Sequence, residues 1–289
     1  MTEAAVTTAS ARGKESRTPS APFSLWFGTL VAGTTIMVAV VSAFWTPYST
    51  TRINIRSRLQ EPSATHWLGT DVLGRDIVSL LMVGAQNAIV IGVVAVLIGA
   101  GIGVSLGLWA AARRGFVDEI IMRGCDVVFS FPVVLSAIML ATIWGPGSIN
   151  SVVAIGIYNI PIFARISRAS AQAIWTREFI LAARTAGMGQ VRISLQHVLP
   201  NIANIIVVQA TISFAVAILA DAALSYLGLG TPPPAPSWGR MLKEAQSYMI
   251  QDPYLAIFPG LTIALVVLGL NMLGDGLRDL IDPRFARER

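Results

Sequence analysis

Six long apolar stretches separated by polar segments set the pattern of this chain. They run over about residues 23–45, 88–112, 127–144, 149–166, 202–226 and 254–273. Each is long enough for a helix to cross a hydrocarbon core of about 30 Å. The first is longer than the apolar core of a signal peptide, so it is expected to stay as an uncleaved span. Pro132 predicts a kink in the third stretch, and Pro161 and Pro259 fall inside two others. Prolines are tolerated there because neighbouring helices can satisfy the freed backbone groups. The pattern predicts an all-α, polytopic membrane protein with six transmembrane helices, one domain over residues 23–283.

Composition agrees with this. The 289 residues are 54% hydrophobic and only 13% charged, about half the charge of a soluble domain. Disorder and an ordinary soluble enzyme are both excluded. The net charge of +5 is explained by its distribution. With the N-terminus inside, 15 Lys and Arg fall on inner segments and 6 on outer ones. Basic residues gather on the cytoplasmic side of membrane proteins, so both termini are expected there. Residues 1–22 then form a mobile cytoplasmic tail and 284–289 a second, short one. Nucleic acid is not needed to account for the basic character.

Three connections are too long to be mere links. The first, about 46–87, lies outside. In it Ile77, Leu80, Leu81 and Gly84 recur at helical spacing, which predicts a helix lying along the membrane surface. The second, 167–201, lies inside. The third, about 227–253, lies outside, and its Pro232, Pro233, Pro234 and Pro236 predict an extended polyproline segment.

Few residues suggest chemistry. Cys125 is the single cysteine, so neither an internal disulfide nor a cysteine metal site is available. His66 and His197 fall on opposite sides of the membrane, and no metal site is expected. Gly103-Val104-Ser105-Leu106-Gly107 matches the hydrolase nucleophile elbow, but that motif needs a strand, a turn and a His partner. Here Gly99, Gly103 and Gly107 recur every four residues, the spacing of close helix packing in membranes. The packing reading is preferred and no catalytic residue is expected. No Gly-rich loop ending in Gly-Lys-Ser/Thr appears, so the chain is not expected to hydrolyse nucleotide. Asp221, near the outer end of the fifth span, is either a translocation-path residue or an interfacial carboxylate that caps or pairs locally. Arg123 and Asp126 are spaced to pair along one helix.

The inner loop is the most informative piece. The first part of the stretch from Trp175 to Gly187 predicts a helix with Ala182 and Ala183 as a smooth face. Gly187 suits a helix stop, since glycine adopts left-handed backbone cheaply. A second short helix is expected to end before Pro200. This helix–turn–helix is either an amphipathic surface hairpin or a docking element for another protein. A DNA-binding role is disfavoured, because both ends are tethered by spans.

Leu181-Ala182-Ala183, then Gly187, then Val198-Leu199-Pro200 resembles the cytoplasmic coupling loop of ABC importer permeases. Leu181 stands where that pattern has Glu, and Glu178, one turn earlier, is the candidate substitute. Three further segments resemble the dipeptide/oligopeptide permease group, C-type subunit. They are His66-Trp67-Leu-Gly-Thr-Asp71-Val-Leu-Gly74-Arg75-Asp76, then Leu224-Ser-Tyr-Leu-Gly-Leu-Gly230 with Pro236-Ser-Trp238-Gly239, then Gly274-Asp275-Gly276-Leu277-Arg278-Asp279 with Asp282-Pro283-Arg284.

The resemblance implies a type I importer permease fold, half of a translocation channel in the bacterial inner membrane. It implies a B-type permease partner, two ATPase subunits that carry the ATP and Mg, and an outer solute-binding protein. Peptides are the implied cargo, with nickel, glutathione or another small solute as alternatives. Glu178, Ala182, Ala183 and Gly187 are then expected to dock the ATPase. Trp67, Asp71, Arg75, Asp76 and Trp238 are expected to shape the outer mouth, or merely to fold their loops with Asp71 or Asp76 as a helix cap. The rival of another class is a stand-alone carrier or channel, for which Asp221 would be the main support.

Overall fold

A computed structural model describes residues 21–281. The predicted tails 1–22 and 284–289, and the Asp282-Pro283-Arg284 segment, lie wholly or almost wholly outside those residues. Ten α-helices follow one another among the described residues. They are α1 (Ala21–Phe44), α2 (Ile77–Arg113), α3 (Gly115–Ser130), α4 (Val133–Trp144), α5 (Ser148–Trp175), α6 (Glu178–Thr185), α7 (Gln190–Ile193), α8 (Leu199–Leu227), α9 (Trp238–Gln246) and α10 (Tyr254–Ile281). Five helical segments are long and apolar enough to cross a membrane, and α3 with α4 make a sixth if the bent pair counts as one crossing.

Four sequence expectations change. The surface helix expected near 76–85 is the first part of α2, which runs unbroken for 37 residues. Asp76 caps it by accepting from the Ser79 amide at 2.9 Å, and nothing downstream breaks the helix. Its apolar side is buried against the rest of the bundle, so it has no reason to lie on a membrane. At Pro132 the chain does not merely kink: α3 and α4 meet at 80°. Pro200 does not end a helix. Residues Ser194–Val198 form one π-turn, and the Leu199 amide bonds the Ser194 carbonyl. This wider turn lets α7 run on into α8, with Pro200 in the first turn of α8, where a missing amide costs little. The proline run is a turn rather than an extended strut. Asn87 Nδ2 donates to the Pro236 carbonyl at 2.7 Å and pins it to α2.

Glycines set the closest approaches. On α2, Gly99 abuts Asn159, Gly103 abuts Ile160 and Phe163, and Gly107 abuts Ala164 and Ser167, all on α5. A Cβ at Gly107 would stand 2.5 Å from the Ala164 carbonyl oxygen. The four-residue spacing is therefore a packing stripe, and Ser105 beside it simply donates to the Gly101 carbonyl within the helix. Gly28, Gly269 and Gly276 do the same between α1 and α10.

Candidate functional site

Two ends of α8 carry the residues of interest. At its N-terminal end, α6 and α7 form the expected hairpin. Gly187 ends α6 with φ +83°, its amide bonding the Arg184 carbonyl and the Met188 amide bonding the Ala183 carbonyl. That is a Schellman closure, and it fixes the angle between the arms. A Cβ at Gly187 would meet nothing, so the backbone and not crowding selects glycine.

The hairpin is rooted by Ile180, Ile193 and Val198, all fully buried with Trp175 and Ile202. Ala183 joins this root at 9% exposure, whereas Ala182 faces outward with Glu178 and Leu181. The two alanines therefore serve different sides. Glu178, Leu181 and Ala182 lie on one exposed face because residues three and four apart share a helix side. Arg184 covers the Trp175 ring at 4.8 Å.

α5, which leads into α6, is tied to α3 by charge. Arg168 grips both carboxylate oxygens of Asp118, with Nη2 to Oδ2 at 2.6 Å. Arg165 meets Asp126 at 2.6 Å and lies over the Phe129 ring at 4.5 Å. Asp126 thus pairs across helices and not with Arg123, which sits 3.7 Å from Glu119 in a largely exposed contact. These cross-helix pairs escaped sequence reading. The available signal was Arg165 and Arg168 one turn apart, with Asp118 and Asp126 two turns apart.

At the other end of α8 the loop after α1 and helix α9 build one charged network. The Asp71 carboxylate accepts from the Leu73 and Arg75 amides and from Arg75 Nε. Arg75 then reaches Glu244 on α9 at 3.0 Å, and Glu244 also takes Arg240 at 2.7 Å. Asp76 splits its oxygens between Ser79 and His66 Nδ1, the latter at 3.0 Å. Trp238 is 2% exposed, packs on Gly84 and donates its indole N–H to the Leu81 carbonyl at 3.0 Å. Trp67 stands 70% exposed, while Asp71, Arg75 and Asp76 are buried. Of the five expected mouth residues, four therefore hold the platform together and one projects from it. Glu244 was missed, although Arg240 and Glu244 are spaced as a helical ion pair.

Asp221 lies six residues before the end of α8, buried against α5. It makes no ion pair among the described residues, nor do His, Cys, Asp and Glu gather there into a metal-binding group.

The architecture has a solved counterpart. It superposes on a chain of the inward-facing MetNI methionine ABC transporter with TM-score 0.60 at 18% identity, covering 70% of this chain and 97% of that one. That likeness shows the fold that this chain shares with an ABC transporter chain. Residues 103–287 match the binding-protein-dependent transport system inner membrane component family, and the chain belongs to it. It is 43% identical to the glutathione transport system permease protein GsiD of Pectobacterium atrosepticum, covering 94% of each chain. It is 42% identical to the dipeptide transport system permease protein DppC of Alkalihalophilus pseudofirmus, over 89% of this chain and 84% of that one. The resemblance to dipeptide/oligopeptide-type permeases thus holds. The chain is a multi-pass, non-catalytic permease subunit, and ATP hydrolysis belongs to separate ATPase subunits.

Proposed function

We propose that this permease imports a dipeptide or a glutathione-like peptide across a bacterial inner membrane, with both termini cytoplasmic. The names of its relatives support the cargo, and the 15-to-6 split of basic residues supports the orientation. The α6 hairpin docks on an ATPase subunit. A B-type permease completes the channel, a second ATPase serves that partner, and a solute-binding protein delivers cargo to the α9 end. ATP and Mg stay on the ATPases; lipid surrounds the spans, and nucleic acid has no part.

One observation carries the docking reading. The α6 face with Glu178, Leu181 and Ala182 is exposed, while its opposite side is locked by Ile180 and Ala183. A push on the exposed face therefore moves α5 and α8 with it, rather than bending a loose loop. Leu181 at 52% exposure supplies an apolar contact where a carboxylate is usual, and Glu178 keeps a negative charge one turn away. Trp67 is the projecting contact for the binding protein. The platform residues Asp71, Arg75, Asp76 and Trp238 position it.

The test is co-purification of the chain with its partners after Ala182→Arg. Loss of the ATPases with the second permease retained supports docking through this face. Retention of the ATPases at native stoichiometry sinks it.

A further inference from the structure

Asp221 is the one charged residue in α8, and it is 3% exposed. Its Oδ1 has no hydrogen-bond partner among the described residues. Two hydroxyls beside it share that condition: Ser225 Oγ, one turn along α8, and Ser151 Oγ in the first turn of α5. Both hydroxyls lie beside the Asp221 carboxyl group, near enough to serve as its donors, yet neither they nor Oδ1 has a partner of good hydrogen-bond geometry. The site has a lid. Gly230 presses so closely on Ser225 that a Cβ would overlap its Oγ, and Thr231 meets Ser148 Oγ at 3.1 Å.

Neighbouring elements offer no counter-charge. Along α2 no charged residue stands between Asp76 and Arg113, and α4 has none. On α5 none precedes Arg165, and on α10 none precedes Asp275. On α9, Arg240 and Glu244 satisfy each other, and Lys243 Nζ lies against Gly228 at the end of α8. Lys243 is therefore about 10 Å along the helix from Asp221 at 1.5 Å per residue. An ionised carboxylate buried without a partner is costly, and orphaned polar groups that cluster call for a ligand.

We propose that Asp221, Ser151 and Ser225 form a binding site for one small monovalent metal cation, Na⁺, that pins the C-terminal end of α8 to the N-terminal end of α5. A carboxylate flanked by hydroxyls is an all-oxygen donor set of the kind hard cations favour. A single carboxylate balances one positive charge, which argues against Ca²⁺ or Mg²⁺, whose sites draw on more anionic oxygens or a substrate phosphate. The site lies wholly within this chain, so it stands apart from the docking role of α6.

The test uses the complete transporter purified in nanodiscs. Its thermal midpoint is followed in NaCl against choline chloride at equal ionic strength, and across pH. If Na⁺ is the ligand, the midpoint rises saturably with Na⁺ but not choline. Ser225→Ala should then weaken the half-saturating concentration by about tenfold, a loss of about 1.4 kcal/mol, and Asp221→Asn should abolish the response. A midpoint indifferent to Na⁺ would overturn the proposal. Overlapping midpoints for native protein and Asp221→Asn across both salts and all pH values would overturn the proposal. Ser225→Ala keeps the carboxylate, so it serves if Asp221→Asn does not assemble. There, a Na⁺ and pH response unchanged from native would overturn the proposal equally.

Discussion

The two ends of α8 solve opposite problems. At the α9 end the charged groups of the loop and α9 are consumed internally: Asp71, Arg75, Glu244 and Arg240 form one chain of contacts, and Asp76 is shared between a helix cap and His66. At the α6 end the polar and apolar outer face is left free, and rigidity comes from buried Ile180, Ile193, Val198 and Trp175 instead. A charge network satisfied within one chain offers little to a partner beyond shape. An unpaired face on a rigid root offers both a contact and a means of transmitting force. The difference is what the proposed docking of an ATPase on the α6 face requires.

Substitutions that blur this contrast should have graded effects. Ala183→Arg puts an unpaired charge into the hairpin root and should cost about 3–5 kcal/mol. Protease cutting at Arg177, Arg184 and Arg192 would rise sharply, whereas Ala182→Arg one residue away should leave cutting at those three arginines unchanged. Equal cutting in both variants would mean that the two alanines do not face opposite sides. Trp238→Ala at the other end removes a buried indole and should destabilise by about 3–4 kcal/mol, read as a lower thermal midpoint with ATPase binding retained.

The tie between α3 and α5 gives a smaller signal. Asp118→Arg alone should uncouple ATP hydrolysis from uptake, and adding Arg168→Asp should restore coupling, with an interaction energy of about 1–3 kcal/mol. No recovery in the double variant would show that the pair does not transmit the motion of α5. Last, Gly187→Ala meets no steric block and strains only a left-handed backbone, so a loss of about 1 kcal/mol is expected. A thermal-midpoint drop comparable to that of Ala183→Arg would show crowding after all.

What was legible in the sequence follows from how far apart the interacting residues are. Apolar runs without charge announced the spans, and Gly187 announced the hairpin turn, because both are local. The start of α2 was misread because a capped, amphipathic first turn looks the same whether it lies on a membrane or packs under Trp238, more than 150 positions later. Pro200 was read as a stop because a π-turn has no compositional mark. Both Asp118–Arg168 and Arg75–Glu244 join residues distant in sequence, so neither partner could be named in advance. Within the proposed docking set, the alanines were found but their opposite orientations were not. At the expected mouth, Asp76 caps α2 and Trp238 is a buried peg against it, a contact between distant residues that no local pattern around Trp238 could announce.

The unbroken length of α2 has an evolutionary consequence. At 1.5 Å per residue it extends about 55 Å, and Gly84, Gly92, Gly99, Gly103 and Gly107 mesh along it with α9, α8 and α5 in turn. Inserting or deleting one residue between Gly92 and Gly99 would turn one half by about 100° against the other. Every glycine below the change would then leave its slot. This helix can drift in composition but not in length: its reading frame is locked to three neighbours at once.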